Sequence, residues 1–270
     1  MKHRFILFLT DFGLTDDFVG TCHGVIKRIA PDAEIIDVTH GIAPQGVLPG
    51  ALILRNTLPY LPHGVHLAVV DPGVGSARRP IIIRDTEGDL FVGPDNGLLV
   101  PAAEVHGIDS AHELANPEYA LEPVSRTFHG RDLFSPAAAH LALGVEPSEL
   151  GPPLATDALV RLDLPEPAID GGELDASVLY VDRFGNMQLN MTRADLDGVG
   201  IVAGTRVEVE LAGERYFAIA ARTYADARPG EIVLYEDSYR NVALAINQGS
   251  AAEMFAAQPG QRVRLILEQP

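Results

Sequence analysis

A single cysteine, Cys22, is all the sulfhydryl chemistry this 270-residue chain carries, which excludes an intramolecular disulfide framework and any zinc site built from several cysteines. That scarcity suits a reducing, cytoplasmic setting. No apolar run approaches the roughly 18 to 20 residues that a membrane helix requires, so no membrane association is expected. Basic residues are few as well: 20 Lys and Arg stand against 37 Asp and Glu, a formal charge of −17. Such a surface repels phosphate backbones and anionic lipid alike, and nucleic acid is not an expected partner. Internal repeats and low-complexity segments are missing. So is any HExxH-type helix pair or other metal-ligand spacing, so no metal is expected. The short apolar stretch after Met1-Lys2-His3-Arg4 meets Asp11, Asp16 and Asp17 at once and has no small-residue cleavage site; it reads as a first strand rather than a secretory signal.

What remains is an ordinary globular balance, 47% hydrophobic and 21% charged, in a chain long enough for two modest domains. The first part alternates the two periodicities. Strand patterns at 5–10, 34–38, 65–70, 80–84 and 90–92 are interleaved with helical ones at 18–29, 47–58, 98–105 and 135–142, which predicts a mainly parallel sheet flanked by helices. Cys22 falls on the apolar face of the first helix and is expected to be buried. Pro-Glu-Pro-Ala-Ile-Asp-Gly-Gly at 165–172 is turn-rich and aperiodic and marks a boundary. Beyond it come short strand patterns at 177–181, 187–190, 206–211, 216–220, 232–235, 242–246 and 263–267, with little helical periodicity. They predict an all-β, barrel-like domain. The expected division is an α/β catalytic domain over 1–165 and a β-barrel domain over 172–270.

Ligands of open α/β sheets gather beyond the carboxyl ends of the strands, so polar residues just after strand patterns are the candidates. Asp11, in Thr10-Asp11-Phe12-Gly13, can chelate a ribose diol or form a turn. Asp16 and Asp17 open a helix, where carboxylates cap free N–H groups. Asp71 closes a strand before Pro72-Gly73-Val74-Gly75, whose glycines let backbone approach a ligand closely. Arg78 follows within the same loop, and a fixed cation beside a carboxylate can stabilise an anionic nucleophile. No helix pattern follows the Gly-x-Gly, so it is not a dinucleotide fingerprint. In Thr127-Phe128-His129-Gly130-Arg131-Asp132, His129 at a helix entry can hold a water, or it is a surface-loop histidine. The other eight histidines, including His63 and His66, read mostly as surface-loop residues. Asp182-Arg183-Phe184-Gly185-Asn186 looks like a hairpin connection, although aspartate, aromatic ring and amide together can grip a purine or an ammonium group. Tyr224, Ser238 and Tyr239 occupy similar loops without an independent signal.

These segments, together with Gly-Pro-Asp-Asn-Gly at 93–97, resemble in order and content the S-adenosyl-L-methionine (SAM) hydroxide adenosyltransferases, also called adenosine-forming SAM hydrolases, relatives of fluorinase and chlorinase. The resemblance runs over nearly the whole chain. It implies an N-terminal α/β domain, a C-terminal β-barrel and a homotrimer with active sites between subunits. It further implies a catalytic set of Asp71, Arg78 and His129, with Asp11 on the ribose and Asp16, Phe18, Phe128 and Gly130 lining the site. Asp182, Phe184, Asn186 and Ser238 would contact methionine or adenine from a neighbouring subunit, with Tyr239 standing where halogenases have arginine. Asp71 in place of a halogenase tyrosine, Gly130 in place of a halide-holding serine, and the absence of an extra loop in the first domain all favour hydroxide over halide. The implied reaction consumes SAM as substrate, needs no cofactor and yields adenosine and L-methionine by attack at C5′. Two other readings remain: a non-catalytic adenosine or SAM sensor, and a metal-dependent hydrolase assembled from Asp71, Asp95, His129 and His40.

Overall fold

The computed structural model describes residues 2–170 and 173–267. The chain divides into two compact units that part between Leu162 and Asp163. In the first unit the elements are β1 (Phe5–Thr10), α1 (Phe18–Ile29), β2 (Glu34–Thr39), α2 (Val47–Thr57), β3 (Gly64–Val69), β4 (Pro80–Asp85), β5 (Leu90–Pro94), α3 (Val100–Ala103), β6 (Ile108–Glu113), α4 (Ser135–Ala142), α5 (Pro147–Leu150) and β7 (Pro153–Leu154). The strands form one sheet in the order β2-β1-β3-β5-β4-β6-β7. Its β2-β1-β3-β5 half is parallel, whereas β4, β6 and β7 pair antiparallel. The change of direction follows from chain length: only Thr86 to Asp89 join β4 to β5, and a parallel return needs a crossover of about a dozen residues. Asp85 closes that turn, its carboxylate accepting the N–H groups of Glu87 at 3.1 Å and Asp89 at 2.8 Å.

Strand alternation sends residues to two cores. Ile6, Phe8, Val65, Leu67 and Val69 pack under α1 and α4, while Leu9, Ala68 and Val70 pack under α2 and α3. Cys22 is buried on α1 with Val19, Val25 and Ile26. Burial pushes its thiol up to about 11, so it is held as an inert, protonated core residue. The helix expected at 98–105 shrinks to Val100–Ala103. Strand β6, which the periodicity did not announce, reads Ile-Asp-Ser-Ala-His-Glu and buries only Ala111 fully.

The second unit contains β8 (Ala168–Asp170), β9 (Glu173–Val181), β10 (Met187–Thr192), α6 (Arg193–Gly198), β11 (Arg206–Leu211), β12 (Glu214–Ala220), β13 (Ile232–Glu236), β14 (Asn241–Ile246), α7 (Ala251–Phe255) and β15 (Arg262–Leu267). Pairing runs β9-β10-β14-β13-β12-β11-β15 and back to β9, a closed seven-stranded barrel with β8 added outside β9. Closure leaves the ring without an edge strand. Alternate residues such as Val207, Val209, Leu211, Leu244 and Val263 fill the interior. The aperiodic stretch before the barrel holds the short strand β8; Gly171 and Gly172 lie outside the described residues. Two short helices were not anticipated, α6 closed by a Thr192/Asp195 capping box and α7 capped by Ser250. Among the described residues no helix is long and apolar enough to cross a membrane.

Candidate active site

The strand order places β1 between β2 and β3, so the connections leaving β1 and β3 diverge at a topological switch point, where such sheets open a crevice. Asp11 follows β1 and Asp71 follows β3. Both line one pocket of about 220 Å³, together with Phe12, Phe128, His129 and Gly130. Asn96, from the Gly-Pro-Asp-Asn-Gly segment, donates its amide to the Val70 carbonyl at 2.8 Å and so braces the backbone just before Asp71.

Arg78 joins the parts. Its Nε donates to both Asp71 carboxylate oxygens at 2.9 and 3.0 Å, and its Nη2 contacts Oδ2 as well. The same Nη2 donates to Nδ1 of His129 at 2.7 Å. Phe134 lies under the guanidinium, 5.1 Å from ring centroid to Cζ, and both members of the ion pair are buried. Arginine has no acceptor, so the contact fixes Nδ1 as the unprotonated nitrogen of a neutral imidazole and leaves the proton on Nε2. Burial first, and then the adjacent guanidinium charge, hold the His129 pKa below its ordinary value of 6.5.

Loop chemistry explains how residues so far apart in sequence meet. Gly75 has φ +76°, and a Cβ there would stand 2.5 Å from the Arg126 carbonyl oxygen, so only glycine lets the Asp71 loop dock against the segment carrying His129. Beyond His129 the chain makes a π-type turn over Gly130–Phe134 before α4, an irregularity often found at functional sites. At Gly130 a Cβ would fall 2.9 Å from Cζ of Phe12.

The other expected residues of this unit fare differently. One oxygen of Asp11 accepts the Gln45 N–H at 2.9 Å. Phe18 lies in an edge-to-face trio with Phe12 and Phe128, centroids 5.1 to 6.0 Å apart. Asp16 is exposed and outside the pocket's lining. Asp17 holds the N-cap position, yet its carboxylate caps no backbone N–H and accepts the Thr21 hydroxyl at 3.0 Å instead. Gln45, in a left-handed conformation with φ 66°, lines the pocket without having been anticipated. The surface reading of the remaining histidines fails at His40 and His66, which are buried. The metal set of Asp71, Asp95, His129 and His40 does not assemble. Asp95 is taken by Arg79 at 2.9 Å and by the Val160 N–H at 2.9 Å, and Asp71 by Arg78 at 2.9 Å.

In the barrel, Asp182–Asn186 is a hairpin connection between β9 and β10, and it also lines a pocket. Asp182 Oδ1 accepts the N–H groups of Phe184 and Asn186 at 2.8 and 2.9 Å, and its Oδ2 accepts the Asn186 amide at 2.7 Å. Asp237 builds a matching loop between β13 and β14, accepting the N–H groups of Tyr239 and Asn241 at 2.8 and 2.9 Å. The two loops place Phe184 and Tyr239 at equivalent positions. A pocket of about 520 Å³ is lined by Asp182, Phe184, Asn186, Tyr224, Ser238 and Tyr239. The Tyr224 and Tyr235 hydroxyls meet at 2.6 Å in its wall, and Gln188 donates to Asp237 at 2.6 Å. Asp237, Gln188 and Tyr235 were missed. The available signal was the recurrence of Asp-x-x-x-Asn at 182–186 and 237–241.

Comparison with known proteins gives the family. The SAM hydroxide adenosyltransferase N-terminal domain matches residues 6–151 and the corresponding C-terminal domain matches residues 176–264. The (R)-S-adenosyl-L-methionine hydrolase of Salinispora arenicola is 48% identical, over 96% of this chain and 97% of that protein. A fluorinase of an Actinoplanes species is 31% identical, over 96% of each chain. The crystal structure of an uncharacterized conserved protein from Thermotoga maritima superposes with a TM-score of 0.90 at 33% identity, covering 97% of this chain and 99% of that one. With both domain models matched in order and relatives aligned almost end to end, the chain belongs to the SAM hydroxide adenosyltransferase family.

Proposed function

We propose that this chain hydrolyses SAM to adenosine and L-methionine by attack of a water-derived nucleophile on ribose C5′. The observation that carries the reading is the Arg78 bridge between Asp71 and His129, set in a pocket at the switch point of the sheet. The leaving group departs as a neutral thioether from a cationic sulfonium and needs no acid. The burden falls on the nucleophile, since bulk water has a pKa of about 15.7. Of the three residues only Asp71 can take its proton: Arg78 has no acceptor, and His129 already carries its proton on Nε2. A carboxylate holding two Arg78 nitrogens still has lone pairs for a water. His129 Nε2–H then serves as donor to the developing hydroxide, and Arg78 fixes both partners in place. Asp11 is assigned to the ribose hydroxyls, and Phe18, Phe128 and Gly130 to the wall around the reacting carbon. Asp16, exposed, is left as an outer contact.

The first pocket is smaller than the roughly 300 Å³ at which sites for ligands of this size begin, so the substrate needs a second surface. We assign that surface to the barrel loops, with Asp182, Asn186 and Ser238 for the amino-acid end or the purine, and Phe184 and Tyr239 for stacking. In a homotrimer it would come from a neighbouring subunit. A cytoplasmic setting accords with the lone, buried Cys22.

The Salinispora arenicola relative bears the name of a hydrolase for the (R) epimer, and we extend that preference to this chain. The test is product analysis with each sulfonium epimer. Equimolar adenosine and methionine, formed faster from the (R) epimer, is the expected result. Recovery of both epimers unchanged would make the protein a sensor, and equal rates would remove the epimer preference alone.

A further inference from the structure

A second cluster lies behind the strand ends that carry the pocket. His23 projects from α1, Asp37 lies on β2, and His40 follows β2. Nε2 of His23 is 2.8 Å from Asp37 Oδ1, and Nε2 of His40 is 3.0 Å from the same oxygen. One ligand atom from each residue falls within 4.8 Å of the others. His23 Nε2 hydrogen-bonds that oxygen, and since ligands bound tetrahedrally at ~2.1 Å stand ~3.4 Å apart, the two nitrogen-to-oxygen distances need widen by only about half an ångström to admit an ion. His40 is the informative member. Its side chain is 2% exposed, and its Nε2, 3.0 Å from Asp37 Oδ1, makes no hydrogen bond among the described residues. Its Nδ1 is held by Thr10 Oγ1 at 2.8 Å, the outer contact that commonly orients a ligating imidazole and leaves Nε2 to face an ion.

We propose that His23, Asp37 and His40 bind one borderline divalent transition-metal ion, zinc being the type case, with water completing the coordination. Two imidazoles and a carboxylate suit such an ion better than magnesium or calcium, which prefer oxygen alone. Asp37 and His23 are partly exposed and give the ion a way in. The contrast with the second cluster, Asp85, Asp89 and His106, is instructive. There the carboxylates already accept the N–H groups of Glu87, Asp89 and Gly64 and a nitrogen of His63. The proposed ion would tie α1 to β2 close to Asp11, since the His40 carbonyl accepts the Gly13 N–H at 2.8 Å. Its role is therefore to hold the loop that delivers Asp11, and the site stands whether or not the proposed reaction does.

The test strips the full-length protein with a chelator and titrates it with cobalt(II), then zinc(II), following cobalt absorption, bound ions per chain and thermal melting. One ion per chain, a metal-dependent rise in Tm, and binding weakened at least ~10-fold in both His23→Gln and Asp37→Asn are expected. Imidazole nitrogen NMR of the unsubstituted protein should show two Nε2 resonances shifting together on zinc addition, a reading that does not depend on the variants folding. Fewer than one ion per chain, equal affinity in folded variants, or no paired Nε2 shift overturns the proposal.

Discussion

The two pockets of this molecule are built on opposite plans. In the first unit, Asp71 and Arg78 from one loop meet His129 from another, and charge-assisted hydrogen bonds hold them. In the barrel, each aspartate folds its own loop by accepting the N–H groups two and four residues ahead, leaving Phe184 76% exposed. A long-range network fixes protonation states, because every partner is committed: Arg78 can only donate, so His129 Nδ1 can only accept. A local loop fixes backbone shape and leaves side chains available. The first arrangement suits chemistry, where position and charge must be set before substrate arrives. The second suits recognition, where an aromatic face and a few amides meet a ligand that has already committed to the site.

If that division of labour is right, substitutions in the first pocket should act on kcat and those in the second on KM. The largest effect is expected from Asp71→Asn, which removes the proton acceptor and keeps the shape. Its kcat should fall on the order of 10²- to 10⁴-fold with little change in KM, measured by steady-state adenosine release. An equal rise in KM would mean that Asp71 binds substrate rather than activating water. Arg78→Met should cost about 10²-fold in kcat and should also move the pH profile. The neutral form of His129 is the active one, and its pKa is lowered by burial and then by Arg78, so the acid limb of the parent lies below 6.5. Without the guanidinium that limb should move to higher pH; an unmoved limb would separate His129 from Arg78. Phe184→Ala tests the other side. Loss of a stacking platform is worth about 1 to 3 kcal/mol, a KM rise of roughly 5- to 150-fold at unchanged kcat.

The smallest expected effect concerns stability. All nine histidines precede the barrel, so histidine protonation acts on the first unit alone. His66 is stacked on Phe91, 4.7 Å between centroids, and neither ring nitrogen is hydrogen-bonded. Burial lowers its pKa from 6.5 to about 4, although Asp89 opposes the shift. A lowered folded-state pKa means that the unfolded chain takes the proton first. The destabilisation therefore begins as pH falls below 6.5 and is complete near the folded value. His66→Leu should reduce this slope, a gain of about 1 kcal/mol near pH 5.5 relative to pH 7, read by urea unfolding. An unchanged slope would place the acid sensitivity elsewhere.

Much of this was legible in the chain. Periodicity located most strands and the longer helices because burial on one or both faces writes itself into residue order. It missed β6, which buries only one residue fully, and α6 and α7, each little more than a turn set by caps rather than by an apolar stripe. Asp71, Arg78 and His129 stood out by position and residue type, but their meeting depends on Gly75 docking against Arg126, a backbone contact that spacing does not encode. Gln45 reaches the pocket through a left-handed backbone, and the Asp237 loop is recognisable only once the Asp182 loop is seen in three dimensions. The burial of His40 and His66 was hidden for a simpler reason: a histidine in a strand or at its end looks the same whether it faces core or water.

Everything proposed for the first pocket turns on attack by a water-derived nucleophile on C5′. Its most direct test is a reaction with SAM in ¹⁸O-labelled water, with the products analysed by mass spectrometry. One ¹⁸O in the 5′-hydroxyl of adenosine and none in methionine is the expected result. Unlabelled adenosine, or cleavage to methylthioadenosine instead, would contradict it.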